Sequence, residues 1–500
     1  MKRIKLPLIR HIKWGLPALL MNAVFSASAA LPQEWQDALT KAGVPDTAIS
    51  AVIQEIGKDE PLLQHRETEL MNPASVMKLV TTAAGLDLLG ANYRWKTEVF
   101  LDGAFSPTEF GVFNGNLALK GYGDPKITVE RWQAFMQGLN AAGIVKINGD
   151  LLIDRNFFSL SPHNPALFDN EPLKPYNVGP DALLLSFKSV RLEITPPADP
   201  KAKRATVIVE PPLPTIKIDT APKLTSRKCG DWWRNANPSF NDQGVGASIK
   251  FSGNYSKKCG KTEHYVALLD APHFAHGMFT YYFNEAGGNF TGNLREGVIP
   301  QNATPALTFY SLPLRDIVSD INKRSNNVMA RQLFLTLAAS RNPPPHSLAT
   351  ARTTVAEWLQ EKHIDMPGLY MDNGSGLSRD SRVSAAGLLA LLLYAEKSEW
   401  RDIFWDSLPI AGVDGTLKDR FRQSTSYDRA RLKTGLLEGI RTLAGYVEDI
   451  NGRRYAVVIM INHEHAKRSK ETMETLINWI AEGKAAQGLS PAPPFLIQAN

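Results

Sequence analysis

The feature that most constrains this chain is the placing of its strand-like apolar runs at its two ends. Residues 50–56 and 61–66, joined at Gly57 and Lys58, read as two strands, with Val52, Ile53 and Ile56 apolar on the first. Residues 431–437, 442–449 and 453–461 read as three more, and Asn451 with Gly452 predicts a hairpin turn of the primed type between the last two. Both sets carry apolar faces that need partners. The economical solution puts them in one sheet and makes the long middle of the chain an insertion. The expected class is α+β, an antiparallel sheet flanked by helices with a large, mostly-β insertion.

Helical spacing supplies the flanking layers. Pro73 suits a first helical turn, Leu79, Val80, Ala83, Leu86 and Leu89 recur at helical intervals, and Gly90 is a stop signal. After residue 300, helices are expected at 312–322, 328–339, 350–362 and 385–394, with a break at 342–345. Near the C-terminus Met473, Leu476, Ile477 and Ile480 form one stripe, and the neighbouring Glu471, Glu474 and Glu482 favour a core-facing helix over a membrane-binding one. Between 92 and 300 the apolar runs are short, as at 151–153, 205–209 and 265–269, and are separated by Gly, Pro, Asn and Asp. The proline-rich stretch 196–214 reads as a seam between two subdomains. The expected organisation is a removed segment 1–29, a discontinuous domain of 30–91 and 301–490, an insertion of 92–300 and a tail of 491–500.

A chain of 500 residues with 43% hydrophobic content can bury more than one core. Lys2, Arg3, Lys5, Arg10 and Lys13 precede an apolar run from Trp14 to Phe25 and then Ser26, Ala27, Ser28, Ala29 and Ala30, the three-part layout of a secretory signal cleaved near Ala29. Removing residues 1–29 takes five of 56 Lys/Arg and none of 50 Asp/Glu, so the net charge falls from +6 to +1. The basic balance therefore belongs to the leader and gives no argument for nucleic acid; Lys201, Lys203 and Arg204 read as a solvated loop. In an exported chain the two cysteines, Cys229 and Cys259, are most simply one disulfide. His264, His273 and His276 match no zinc spacing, and no metal is expected.

Three short motifs carry chemistry. Ser75-Val76-Met77-Lys78 is the only S-x-x-K in the chain, and on a helix its two ends share a face, so Lys78 can take the Ser75 proton if it is neutral. Of the S-x-N triplets, those at Ser239 and Ser252 lie in the insertion, whereas Ser325 with Asn327 falls in a polar break between two helices. A hydroxyl there can pass a proton to a leaving amine, and an amide can hold both Lys78 and a substrate carbonyl. Lys433-Thr434-Gly435, also unique, offers a cation and a hydroxyl for a substrate carboxylate and a glycine that lets the backbone approach. On a strand Lys433 and Gly435 face one way and Thr434 the other.

S-x-x-K, S-x-N and K-T-G, in that order and on helix, loop and strand, resemble the active site of the serine β-lactamase and penicillin-binding-protein superfamily. The 250 residues from Ser75 to Ser325 exceed what compact members allow and resemble the class C low-molecular-mass penicillin-binding proteins, the D-alanyl-D-alanine carboxypeptidase/endopeptidase family. Gly121-Tyr122-Gly123-Asp124-Pro125 is similar to that family's G-D-P element, and Asp372-Asn373-Gly374-Ser375-Gly376-Leu377-Ser378-Arg379 to its D-G-S-G-L-S-R segment. Two departures are the extra Asn373 and Leu436 in place of the usual small residue after K-T-G.

The resemblance implies an exported, periplasmic hydrolase of peptidoglycan stem peptides and their cross-links, acylated by β-lactam antibiotics and requiring no cofactor. It implies Ser75 as nucleophile, the N–H groups of Ser75 and Leu436 as oxyanion donors, and Lys433, Thr434 and Gly435 at the substrate carboxylate. Asp154, after the run 151–153, is expected either to bind an amino group of the stem peptide or to be an ordinary strand-end carboxylate. The rival readings are a serine β-lactamase and a cell-wall binding protein whose motifs no longer act. Nothing in the residues fixes the oligomeric state.

Overall fold

The computed structural model describes residues 31–487, so the expected signal at 1–29 and tail at 491–500 lie outside the described residues. Its organising element is a five-stranded antiparallel sheet in the order Ala430–Leu437, Ile440–Glu448, Arg454–Asn462, Ile49–Glu55, Leu63–His65. The two ends of the chain thus meet in one sheet, with Val52 opposite Val458 and Ala51 opposite Ile459. Alternate residues serve different cores. Ile49, Ala51, Ile53, Val457 and Ile459 pack with Met473, Leu476, Ile477 and Ile480 of the helix Lys470–Ala481. Val52, Ala444, Tyr446, Val458 and Met460 pack against helices on the other face. Cover on both faces explains why these strands read as continuous apolar runs. The C-terminal helix stripe is fully buried, and among the described residues no helix is long and apolar enough to cross a membrane.

The second face is covered by the helices Lys78–Leu89, Leu314–Arg324, Asn327–Leu337, Leu348–Glu361 and Ala385–Glu396. The link between the last two strands differs from the expected primed hairpin. Gly452 has φ +78, whereas Asn451 is not left-handed, and Asp449 closes a longer loop by bonding the backbone of Asn451 and Arg453. With Asn451 first and Gly452 second, a two-residue primed turn would be type I′ and need positive φ at both; here the Asp449 carboxylate does the turn's work.

The middle of the chain is largely β, with a seven-stranded sheet and three smaller ones. It also holds two helices that the turn-rich text concealed, Val129–Ala141 and Ala271–Glu285. Trp132, Phe135, Met136 and Leu139 sit at i, i+3, i+4, i+7 and meet Phe274, Met278, Phe279 and Phe283 in one core. That core contains Ile194 and Ile216, on either side of the proline-rich stretch, so the stretch does not divide it. The strand Thr304–Tyr310 pairs with Lys96–Phe105, and the insertion's sheet therefore runs past the expected boundary at 300.

Cys229 and Cys259 are bonded and close a loop of sequence separation 30. Loop-closure entropy makes this bond worth about 3–4 kcal/mol. The Cys229→Ser, Cys259→Ser double variant should lose that much in urea unfolding, while its acylation rate under native conditions changes less than about twofold, because the bond ties turns of the insertion alone.

Candidate active site

The first motif lies on a 3₁₀ turn, Ala74–Met77, that runs directly into the helix Lys78–Leu89. In 3₁₀ geometry residues i and i+3 eclipse, and Lys78 Nζ lies 3.0 Å from Ser75 Oγ. Ala74 is held left-handed at φ +46, an uncommon conformation for a residue with a Cβ. Its N–H donates to Asn72 Oδ1 at 2.9 Å, and Asn72 Nδ2 donates to the Ser378 carbonyl at 2.8 Å. A Cβ on Gly376 would collide with the Ala74 carbonyl oxygen. The glycine-rich segment 372–379 is thereby fixed beneath the Ser75 turn.

Lys78 is fully buried. Besides Ser75, its Nζ meets Asn327 Oδ1 at 2.6 Å and the Ser375 carbonyl at 2.5 Å. Burial first, then the cations Lys433 and Arg331, hold its pKa well below the ordinary lysine value. A neutral amine has two N–H groups and one lone pair. Asn327 Oδ1 and the Ser375 carbonyl can only accept, so they take the two N–H groups, and the lone pair is left for the Ser75 hydroxyl proton.

Ser325 closes the helix Leu314–Arg324 in the left-handed region, φ +56, and Asn326 immediately caps the helix Asn327–Leu337 by accepting from Met329 N–H. This tight reversal brings Asn327 to Lys78 and Ser325 Oγ to within 2.9 Å of Lys433 Nζ. Lys433 is also fully buried, and burial pushes it down to about 7. Its Nζ contacts the Thr434 carbonyl as well, at 2.9 Å.

Lys433 sits on the edge strand Ala430–Leu437. The backbone of Pro409 and Ala411 covers the start of that edge, bonding Leu432 and Ala430. Thr434 takes the opposite face from Lys433, and its hydroxyl donates to Thr416 Oγ1 at 2.8 Å. Gly435 lies against the Ser75 turn: a Cβ there would overlap Thr442 Oγ1 and stand 2.7 Å from the Pro73 carbonyl oxygen, to which Thr442 donates. Leu436, 61% exposed, projects to solvent beside it.

The structure thus joins Ser75, Lys78, Asn327, Ser325 and Lys433 in one chain of contacts, with Thr434, Gly435 and Leu436 along the rim. Asp154 lies outside that chain of contacts. It is fully buried, and its carboxylate already accepts from Asn156 N–H and Nδ2 and from Ile299 N–H, with Lys120 Nζ at 3.5 Å. These are the surroundings of a strand-end carboxylate, and no hydrogen bond or ion pair joins Asp154 to Ser75, Lys78, Ser325, Asn327 or Lys433. Asp124 of the G-D-P element is likewise buried, which pushes its carboxyl up to about 6, and it accepts from Lys126 N–H.

Two contributors were not singled out from sequence. The Ser375 carbonyl is a backbone group and carries no residue signature. Arg331 is buried and donates to the Val178 carbonyl at 2.8 Å. Its signal was a lone cation in an apolar helix, four residues after Asn327.

The model of the D-Ala-D-Ala carboxypeptidase 3 (S13) family matches residues 32–483. The chain is 24% identical over 463 residues to the D-alanyl-D-alanine carboxypeptidase DacB of Haemophilus influenzae, covering 91% of this chain and 93% of that protein. It is 25% identical over 475 residues to a D-alanyl-D-alanine carboxypeptidase of an Actinomadura species, covering 92% and 86%. The crystal structure of penicillin binding protein 4 (dacB) from Haemophilus influenzae superposes with a TM-score of 0.75 at 23% identity, over 91% of this chain and 99% of that one. The fold is that of the penicillin-binding proteins, and the chain belongs to the D-Ala-D-Ala carboxypeptidase 3 (S13) family.

Proposed function

We propose that the serine D-Ala-D-Ala carboxypeptidase activity of this chain runs through an acyl-enzyme at Ser75, with neutral Lys78 as the base. The observation that carries this is the contact set of Lys78 Nζ, whose two pure acceptors leave its lone pair facing Ser75. Ser75 Oγ attacks the carbonyl of the penultimate D-alanine, and the N–H groups of Ser75 and Leu436 hold the oxyanion. Ser325 passes a proton to the leaving amine, replenished from Lys433 at 2.9 Å. The carboxylate of the leaving residue binds at Lys433 and Thr434, and Asn327 orients the substrate amide. Water then releases the acyl group.

The natural substrates are peptidoglycan stem peptides and their cross-links, and β-lactams enter the same path as acylating inhibitors. A relative's structure with a bound β-lactam supports that last point. The leader at 1–29 and the Cys229–Cys259 bond support a periplasmic setting. Incubation of the purified protein with cross-linked muropeptides, with products identified by mass, tests the reading. Loss of a terminal D-alanine or cleavage of the cross-link is expected; intact muropeptides would contradict it.

Arg331 acts on Lys78 through charge, and the sign is fixed. A cation beside Lys78 disfavours its protonated form, so removing the cation raises the pKa back toward 10.5. Arg331→Met should therefore move the acid limb of kcat/KM to higher pH, while Arg331→Lys leaves it near the wild-type position. The pH profile of acylation reads this directly.

A further inference from the structure

The insertion gathers positive charge in one region. Residues 199–261 hold 12 Lys/Arg against five Asp/Glu, whereas the rest of residues 30–500 holds 39 against 45. The near-neutral mature chain is thus a basic region carried on an acidic body.

Three segments bring these charges together. The strand Lys223–Thr225 lies parallel to Asn254–Ser256, and the loop 200–204 joins it through the Lys203 carbonyl, which accepts from Leu224 N–H at 2.9 Å. Arg204 stands directly opposite Lys223 in an isolated antiparallel bridge. Ser256 Oγ donates to the Arg227 carbonyl, and Lys257 Nζ donates to the Pro200 carbonyl at 3.4 Å. The triplets Arg227-Lys228-Cys229 and Lys257-Lys258-Cys259 end on the two halves of the disulfide, whose Cα atoms are 4.9 Å apart. The eight Lys and Arg of residues 201–204, 223–228 and 257–258 are all exposed. Among the described residues none of the eight forms an ion pair; those nearby in sequence join Arg191 to Glu210 and Lys261 to Glu193. Asp199, the acid at the head of the first segment, accepts from the Lys201 backbone N–H.

The fold gains no stability from this arrangement. Like charges directly opposite each other across a bridge repel, and surfaces ordinarily intersperse the two signs. Here the disulfide holds two dibasic pairs side by side instead. A field of one sign held in place attracts the opposite sign. Six of the eight cations are lysines, point charges on flexible stems that meet anions in many arrangements, where arginine forks would suit one planar group. Such a face fits an extended polyanion better than one small ligand. The reading under Proposed function supplies a polyanion. Each free stem peptide ends in a D-alanine carboxylate before the terminal residue is removed and again afterwards, so the polymer that carries the stems presents carboxylates repeatedly. We propose that this disulfide-held basic face of the insertion docks the enzyme on the carboxylates of the peptidoglycan polymer, apart from the Ser75 centre. The proposal rests on that reading for its ligand. Many weak contacts to one polymer add up to avidity and keep stems near Ser75 without touching the bond that is cut. The signature is a salt-sensitive KM effect on the polymer alone.

The quadruple variant Arg227→Gln, Lys228→Gln, Lys257→Gln, Lys258→Gln removes half of the charge from exposed positions, and penicillin should acylate its Ser75 at the wild-type rate. In a Ser75→Ala background, protein with the intact face should sediment with insoluble peptidoglycan at about 0.01 M salt and be released at about 1 M, where charges are screened within about 3 Å. The quadruple variant should bind at least about tenfold more weakly, a modest loss for four cations at a charged surface. Amidation of the polymer's carboxylates should abolish binding. With Ser75 restored, the quadruple variant should show a raised KM on insoluble peptidoglycan, an unchanged kcat, and wild-type kinetics on a soluble stem peptide. Wild-type binding by the quadruple variant, binding indifferent to salt or amidation, or equal losses on soluble and insoluble substrate overturns the docking face. Binding to phosphatidylglycerol vesicles in place of peptidoglycan also overturns it, and makes the face a lipid contact. Normal acylation of Ser75 without polymer binding sinks the docking face alone. Salt-sensitive polymer binding by a protein that penicillin does not acylate and that cleaves no stem peptide sinks the catalytic reading and leaves the docking face standing.

Discussion

Lys78→Met should give a folded protein in which acylation of Ser75 is slower by at least about 10⁴-fold, the scale seen when a catalytic base is removed from a serine nucleophile. Methionine keeps most of the buried stem and loses the lone pair that faces Ser75 Oγ at 3.0 Å. Stability gives a second, independent readout. Lys78 has a folded pKa below its unfolded value of 10.5, so folding at neutral pH expels a proton. The lysine's contribution is therefore most favourable above about pH 10.5 and worsens as pH falls toward its folded pKa. Relative to wild type, Lys78→Met should be more stable at pH 6 than at pH 10. Thermal melts at the two values check this, and a difference of constant size across pH would mean that Lys78 is charged in the folded protein.

Gly435→Ala is expected to damage the site through packing alone. The added methyl overlaps Thr442 Oγ1 and stands 2.7 Å from the Pro73 carbonyl, so the strand must back away from the turn that carries Ser75. Overpacking of this kind costs about 1–3 kcal/mol. A displacement of about 1 Å between reacting groups can cost about 10²-fold in rate. Both losses should appear together, as a lower melting temperature and a slower acylation. Thr442→Ala introduced beside it removes the side-chain clash but not the backbone one, so it should recover only part of each. Normal acylation in Gly435→Ala would show that the strand and the Ser75 turn are not in register as described.

How much of this could be read beforehand follows from which groups carry the chemistry. Ser75, Lys78, Ser325, Asn327 and Lys433 act through side chains, and three spacings in one order were enough to pick them out of 500 residues. The strands 49–55 and 454–462 were legible because a strand that serves two cores is apolar throughout. The carbonyl of Ser375 was not legible, since any residue supplies a carbonyl and only the fold decides where it points. Arg331 could have been found as a charge inside an apolar helix, yet its relation to Lys78 depends on the packing of Asn327–Leu337 against Lys78–Leu89. Asp154 shows the opposite limit. Its place at a strand end was read correctly and its bonds from Asn156 are local, but the bond from Ile299, 145 residues along the chain, is a tertiary fact. The helix Val129–Ala141 went unread for a local reason: its stripe of Trp132, Phe135, Met136 and Leu139 stands among turn signals that dominate the surrounding text.

The central claim is that Ser75 forms a covalent acyl-enzyme with β-lactams as with its substrates. Labelled penicillin, brief incubation, digestion and mass analysis test it most directly. The account predicts one penicilloyl adduct, on the peptide carrying Ser75, still present after free penicillin has been removed, and absent from Ser75→Ala. An adduct on another residue, no adduct, or rapid conversion of penicillin to its hydrolysis product without accumulation of label would contradict it.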